Sequence, residues 1–209
     1  RVDWRAVGLE DYGKSKDYIA RQIRRWSGQY EASKTEEIPA MDQLTSWLSE
    51  NMPEDVNDPQ NVTIAHGDFR IDNMIYGNDS LQPIAVLDWE LSTIGHPLSD
   101  FAYCAMMYFT PSDARPSPGL LGLNLNDEGI PSLPEFVAMY ADAAGRASVD
   151  EINYYMAFSN FRMAAILQGV YKRSLDGNAS SRLAGQMGEF VKTVSKTGLR
   201  FTDGTLRVN

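Results

Sequence analysis

The sequence predicts an α+β fold that is mostly helical and contains a small set of short strands. Three observations lead to this fold class. Apolar residues recur at helical spacing on both sides of a central segment, and that segment contains short β-branched runs bounded by turn residues. A length of 209 residues with 43% hydrophobic side chains suits a single domain. We expect leading helices in 1–61, a hairpin region in 62–96 and a second helical part in 97–209.

Two helices are predicted in the leading part. In the first, over about 15–33, Ser15 is the expected N-cap and apolar positions recur at steps of four, three and four. The second follows Pro39 and ends before Pro53. Ser148 and Glu151 have the spacing of a capping box at the start of a later helix that is apolar on nearly all sides. The helices of the second part are expected at about 97–109, 133–144, 150–172 and 180–199.

Three short strands are predicted in the central region, because β-branched or aliphatic runs alternate there with turn residues. Turn residues at 77–80 would join the last two strands into a hairpin. After this region, 110–131 is rich in Pro, Gly and Leu, which is typical of a lid or a binding loop. The three strands are expected at 62–65, 74–76 and 84–87.

Composition and charge exclude several classes of protein. A net charge of −9 disfavours partners that present an anionic surface, such as a nucleic-acid backbone or a membrane. Cys104 is the only cysteine, which excludes an intrachain disulfide and favours a reducing, cytoplasmic location. No run approaches the roughly 20 apolar residues that a membrane span needs.

The segment from His66 to Asn73 has the pattern H-x-D-x-x-x-x-N and lies between the first two predicted strands, as a kinase catalytic loop does. Phosphoryl transfer needs a carboxylate beside the attacking hydroxyl and an oxygen ligand turned toward the metal. One tight loop would present Asp68 as the base and Asn73 as a Mg²⁺ ligand. Asp88 follows the third strand in the sequence Leu-Asp-Trp-Glu and is the expected second Mg²⁺ ligand.

Together with 95–100 (Gly-His-Pro-Leu-Ser-Asp), these motifs resemble the large, C-terminal lobe of the aminoglycoside phosphotransferase and choline kinase superfamily, whose fold is protein-kinase-like. The opening helices and Trp26 resemble the branch whose members are fused to acyl-CoA dehydrogenases. The resemblance implies that the γ-phosphoryl group of ATP or GTP moves to a hydroxyl of a small molecule. Acceptors of this kind include a hydroxyacyl-CoA, an amino alcohol, a sugar or an aminoglycoside.

The resemblance also suggests roles for residues around the motifs. Arg70 would neutralise the transferring phosphoryl group, or it is an exposed arginine that pairs with Asp72. His66 would fix the catalytic loop through hydrogen bonds. Asp100 would support the same loop, either by capping a helix or by accepting its backbone N–H groups. His96, in the loop before a helix, is expected at the surface.

The family places its phosphate loop, strand lysine and helix glutamate before the catalytic loop. Here the 65 residues that precede His66 resemble helices and loops, so we expect the N-terminal nucleotide lobe to be absent and the chain to be part of a longer protein. Such a chain would bind nucleotide weakly and turn over little or not at all. A bare docking surface would favour a homodimer.

Two other functions compete with the kinase interpretation. A non-catalytic kinase-like module used for binding or assembly is the main alternative. A metal-dependent phosphohydrolase would need a third and fourth metal-site carboxylate or histidine, which the motifs do not supply.

Overall fold

The computed structural model describes residues 2–79, 82–114, 117–178 and 183–208. Within these residues the chain forms six α-helices and four short strands, joined by short 3₁₀ segments. The helices are α1 (Tyr18–Ser33), α2 (Pro39–Glu50), α3 (Pro97–Ala105), α4 (Leu133–Ala143), α5 (Ile152–Leu175) and α6 (Met187–Thr202). The strands are β1 (Thr63–Ala65), β2 (Met74–Tyr76), β3 (Pro83–Val86) and β4 (Thr93–Gly95).

The strands form two antiparallel pairs that determine where the loops lie. β1 pairs with β4 so that Ile64 faces Ile94, and β2 pairs with β3 so that Met74 faces Val86. The loop 66–73 runs from β1 to β2, while the segment 87–92 runs from β3 to β4. Both connections therefore pass between the same two strand pairs, which brings the predicted base and metal ligands together.

The core is built around α5, which packs against α1, α2, α3 and α6. The helix is buried over most of its length, because apolar side chains occur on nearly all of its sides, and this confirms the predicted central helix. None of the helices in the described part of the chain has the length and apolar surface that a bilayer crossing requires. The largest fully buried side chains of α5 are Ile152, Tyr155, Met156, Phe158 and Phe161.

The predicted helices and the three predicted strands are confirmed to within a few residues over the described part of the chain. β4 was not predicted. The predicted caps are wrong: α1 begins after Asp17, which has a φ of 55° and makes no side-chain cap. Ser148 bonds Asp150 at 2.8 Å instead of capping α5. The predicted helix start at Ser180, and the end of the turn at 77–80, lie outside the described residues.

His96 is buried, so the expectation that it lies at the surface is wrong. Only 2% of the residue is exposed, and its ring stacks on Tyr155 with 4.7 Å between the centroids. Its Nδ1 accepts a hydrogen bond from the backbone N–H of Leu98 at 3.3 Å, at the start of α3. Burial, with a smaller contribution from the charge of Arg146, lowers the pKa of His96 to about 3.

We expect His96 to make the protein acid-sensitive. The unfolded chain binds a proton on this ring near its ordinary pKa of about 6.5, whereas the folded protein does not until about pH 3. The contribution of neutral His96 to the free energy of unfolding is therefore complete above pH 6.5 and is lost as the pH falls. Between pH 7 and pH 5 the free energy of unfolding should drop by about 2 kcal/mol from this group.

Urea unfolding at the two pH values measures this drop, with His96→Asn as the comparison. Asn still caps a helix N-terminus but does not titrate. The variant should show a pH dependence smaller by about 2 kcal/mol. An identical pH dependence in both proteins would contradict a buried, neutral His96.

Candidate active site

Hydrogen bonds join the catalytic loop to the segment that carries Asp88. The backbone N–H of Leu87 donates to the carbonyl of Asn73 at 2.8 Å. The ring of His66 contacts both segments: Nδ1 accepts from the N–H of Asp68 at 3.2 Å, and Nε2 lies 2.8 Å from the carbonyl of Leu87. Because Nδ1 accepts, the neutral ring carries its proton on Nε2 and donates it to Leu87. His66 thus fixes the backbone of the proposed base relative to the residue preceding Asp88.

Asp100, on the first turn of α3, contacts the start of the same loop. Its carboxylate accepts from the N–H of His66 at 2.5 Å and from the N–H of Gly67 at 2.9 Å. Burial raises the pKa of Asp100, while these two hydrogen bonds and the nearby charge of Arg162 act in the opposite direction. The contact implied by the family resemblance is present, and it ties the catalytic loop to the helical core.

Asp68 and Asn73 face each other across the loop. The side-chain Nδ2 of Asn73 donates to the carbonyl of Asp68 at 2.9 Å and to its Oδ2 at 3.1 Å. The amide nitrogen is thereby occupied, and among the described residues no hydrogen-bond donor contacts Oδ1 of Asn73. The Asp68 side chain is 22% exposed, which leaves its carboxylate accessible to a substrate hydroxyl.

Asp88 is presented to solvent by an unusual backbone conformation. Its φ is 64° and its ψ is 53°, in the left-handed region that non-glycine residues seldom adopt. Such conformations cost about 1–3 kcal/mol and cluster at functional sites. In the described part of the chain, no protein donor contacts the carboxylate of this exposed residue.

The oxygen atoms of Asn73 and Asp88 fit a magnesium ion. Mg²⁺ is bound in nucleotide sites by one or two protein oxygens, and its other positions are filled by phosphate oxygens and water. Neither Asn73 Oδ1 nor the Asp88 carboxylate is occupied by a described protein group, and both belong to segments joined through Leu87. The described ranges contain no group of three or more Asp, Glu, His or Cys side chains that could hold a metal ion without phosphate or water ligands. These ranges are 2–79, 82–114, 117–178 and 183–208.

Arg70 lies between two carboxylates. Its Nε is 3.6 Å from Asp72 Oδ2 and 3.9 Å from Asp68 Oδ2, and its side chain is 44% exposed. At this exposure the ion pairs contribute little to stability. The position is compatible with both roles that the sequence leaves open, a partner of Asp72 and a cation beside the proposed base.

Tyr103 is a site residue that the sequence reasoning missed. Burial, then the negative charge of Asp68 and a hydrogen bond with it, raise the pKa of Tyr103 to about 12. The phenol therefore stays protonated and can donate to the carboxylate of the proposed base. Asp100 and Tyr103 are three residues apart on α3 and so share one face of the helix. This three-residue spacing from Asp100 is the feature of the sequence that could have identified Tyr103.

Comparison with known proteins gives relatives for nearly the whole chain. Acyl-CoA dehydrogenase family member 10 of Mus musculus is 44% identical over 200 residues, which are 96% of this chain and 18% of that protein. Acyl-CoA dehydrogenase family member 11 of Homo sapiens is 41% identical over 202 residues, 96% of this chain and 25% of that protein. The chain thus spans a minor part of both relatives.

A crystal structure from Ralstonia eutropha, provisionally named an aminoglycoside phosphotransferase, superposes with a TM-score of 0.88 at 41% identity. It covers 97% of this chain, which corresponds to 60% of the bacterial chain. The mostly helical α+β, kinase-like fold and the resemblance to chains joined to acyl-CoA dehydrogenases are confirmed. The model of the phosphotransferase enzyme family matches residues 1–152, and the chain belongs to that family.

Proposed function

We propose that this chain forms the metal-binding and acceptor-binding part of a phosphotransferase that moves the γ-phosphoryl group of ATP or GTP to a hydroxyl of a small molecule. Membership of the phosphotransferase family supports the reaction class. One observation carries the proposal: the loops of Asp68, Asn73 and Asp88 are joined by hydrogen bonds through His66 and Leu87. A base and two metal ligands would in this way face one phosphoryl group.

In the reaction, the carboxylate of Asp68 accepts the proton of the acceptor hydroxyl. The hydroxyl oxygen forms a bond to the γ-phosphorus as the bond to the β,γ-bridging oxygen breaks, which releases ADP or GDP. The protonated phenol of Tyr103 donates a hydrogen bond to the Asp68 carboxylate before the transfer. Asn73 and Asp88 would hold Mg²⁺, which supplies positive charge to the phosphate oxygens. The guanidinium of Arg70 adds a second positive charge beside the base.

The acceptor belongs to the same proposal. A hydroxyacyl-CoA is the first compound to test, because two similar proteins are named as acyl-CoA dehydrogenase family members. An amino alcohol, a sugar and an aminoglycoside are the other candidate acceptors. We expect weak nucleotide binding and slow but detectable transfer at millimolar nucleotide, since none of the described strands carries the lysine that kinases place on the phosphates. A cytoplasmic location is part of the proposal.

One observation favours the alternative, a non-catalytic module for binding or assembly. Large apolar side chains are exposed on and around the β2–β3 hairpin, and such a surface is usually covered by another protein surface. Self-association into a homodimer would cover it. The exposed residues are Ile71, Ile75, Tyr76, Ile84, Leu87, Trp89 and Leu91.

Paramagnetic mapping tests whether Asn73 and Asp88 form the metal site that the proposed phosphotransferase requires. In the presence of ATP, substoichiometric Mn²⁺ should broaden the NMR signals of Asn73 and Asp88 most strongly if the site binds metal. Asp88→Asn should weaken Mn²⁺ binding by about tenfold or more, and Asn tolerates the left-handed backbone at this position. Asp79→Asn, which removes an exposed carboxylate from the far turn of the hairpin, should leave binding unchanged. Broadening that persists in Asp88→Asn, or that is centred elsewhere, would contradict the proposed site.

A further inference from the structure

Arg162 is a buried cation that reaches the catalytic loop from the middle of α5. Only 6% of the residue is exposed. Its Nη2 donates a hydrogen bond to the carbonyl oxygen of Gly67, directly before the proposed base. The guanidinium carbon lies 5.5 Å from the ring centroid of Trp26 on α1 and 5.3 Å from that of Tyr103 on α3. Two aromatic rings from different helices therefore flank it.

The surroundings of Arg162 offset only part of the free-energy cost of burying its charge. A guanidinium has five N–H donors, and Nε of Arg162 is buried without a hydrogen-bond partner. Within the described residues, no carboxylate lies within 4.0 Å of its nitrogens. Replacement of a buried charge by an apolar side chain of similar size is often neutral or stabilising. A buried, partly unpaired charge is an exception to the rules of core packing, and such exceptions are expected at functional positions.

The contact with Arg162 completes the hydrogen bonds of the peptide unit between Gly67 and Asp68. The N–H of this unit, on Asp68, donates to Nδ1 of His66 at 3.2 Å, while the N–H of the preceding unit, on Gly67, donates to Asp100 at 2.9 Å. Arg162 binds the remaining polar group, the carbonyl of Gly67. The peptide plane between Gly67 and Asp68 is thus held at both ends. Its orientation sets the direction in which the Asp68 side chain leaves the backbone.

We propose that Arg162 is a positioning residue of the phosphotransferase site: its guanidinium, flanked by Trp26 and Tyr103, fixes the Gly67 carbonyl and thereby orients the Asp68 carboxylate. This role rests on the proposed function of Asp68 as the base. Arg162 acts through the loop and does not itself contact the reacting atoms.

Amide hydrogen exchange of the isolated chain tests the proposal without any activity. Arg162→Met keeps an unbranched apolar stem like that of arginine but removes the guanidinium donor. We expect the amides of Gly67 and Asp68 to exchange about tenfold faster or more, while amides in the centre of α5 change by less than about threefold. Arg162→Lys, which keeps a cationic donor on a shorter side chain, should give loop exchange slower than that of Arg162→Met but faster than that of the wild type.

Gln168→Met is the matched control. Gln168 is also buried on α5, but its Nε2 donates to the carbonyl of Ser33 at 2.7 Å and not to the catalytic loop. This variant should leave the exchange of Gly67 and Asp68 within about threefold of the wild type.

Two results would overturn the proposal. In one, the loop amides of Arg162→Met accelerate only as much as those of α5, which indicates a general packing role. In the other, they do not accelerate at all. If Arg162→Met does not fold, Arg162→Lys decides, because its shorter side chain should give loop exchange faster than the wild type with α5 unchanged. Failure of the proposed function is distinct: the loop would loosen as expected, yet no phosphoryl transfer would be found in the wild type.

Discussion

Asp68→Asn is expected to slow phosphoryl transfer by about 10²–10⁴-fold, because an amide cannot accept the hydroxyl proton. The replacement has nearly the same shape, and its Oδ1 can still accept the hydrogen bond that Asn73 now donates to Asp68 at 3.1 Å. The side chain is partly exposed, so the free energy of unfolding should change by less than about 1 kcal/mol. The rate is measured in single-turnover reactions with radiolabelled γ-phosphate, Mg²⁺ and excess protein.

The control for this variant is Asp72→Asn in the same loop. Asp72 is exposed and its Oδ2 lies 3.6 Å from Nε of Arg70, whereas the side-chain amide of Asn73 donates to Asp68 and not to Asp72. Its removal should change the rate by less than about fivefold. Equal losses in the two variants would mean that loop charge, and not a base at Asp68, is what the reaction needs.

Gly67→Ala is expected to lower the free energy of unfolding by about 3 kcal/mol or more. Gly67 has a φ of 85°, a conformation that strains any residue with a Cβ. A Cβ there would also lie 2.5 Å from the carbonyl oxygen of Leu91, which is backbone and has little freedom to move. Urea unfolding monitored by circular dichroism measures the loss.

Gly8→Ala separates the two causes of this effect. Gly8 has a similar φ of 77°, but a Cβ there would meet nothing within 4 Å. It should cost only the backbone strain, about 1–2 kcal/mol. If the two variants lost the same stability, the close approach of Gly67 to Leu91 would not contribute.

The sequence alone was sufficient to predict the elements that show a pattern within their own residues. Helical spacing revealed the helices, including the fully buried α5, and β-branched runs revealed three of the four strands. Asp68 and Asn73 could be proposed as a base and a metal ligand because their spacing within one loop is itself the signal. Asp88 could be proposed as the second ligand because it directly follows the predicted aliphatic strand. β4 was missed because Thr93–Gly95 ends in a glycine shortly before Pro97, which is typical of a loop, and because its strand character depends on pairing with β1.

Contacts between distant segments were not predictable in this way. His96 sits among loop residues, yet its burial depends on stacking against Tyr155, which is far along the chain. The contact of Arg162 with Gly67 likewise joins positions 95 residues apart. Tyr103 appeared to be an ordinary apolar position: its spacing from Asp100 indicates a shared helix face, but only the tertiary fold shows that Asp68 lies beside it. Tertiary packing decided each of these cases.

The most direct measurement is Mg²⁺-dependent transfer of the γ-phosphoryl group to the four acceptor classes by the wild-type chain at millimolar ATP and GTP. A metal-dependent phosphotransferase site predicts a slow reaction that needs Mg²⁺, yields a phosphorylated hydroxyl on one acceptor class and is lost in Asp68→Asn. The contradicting result is a chain that binds ATP and Mn²⁺ at Asn73 and Asp88 but transfers phosphate to none of these acceptors, as expected of a non-catalytic binding module.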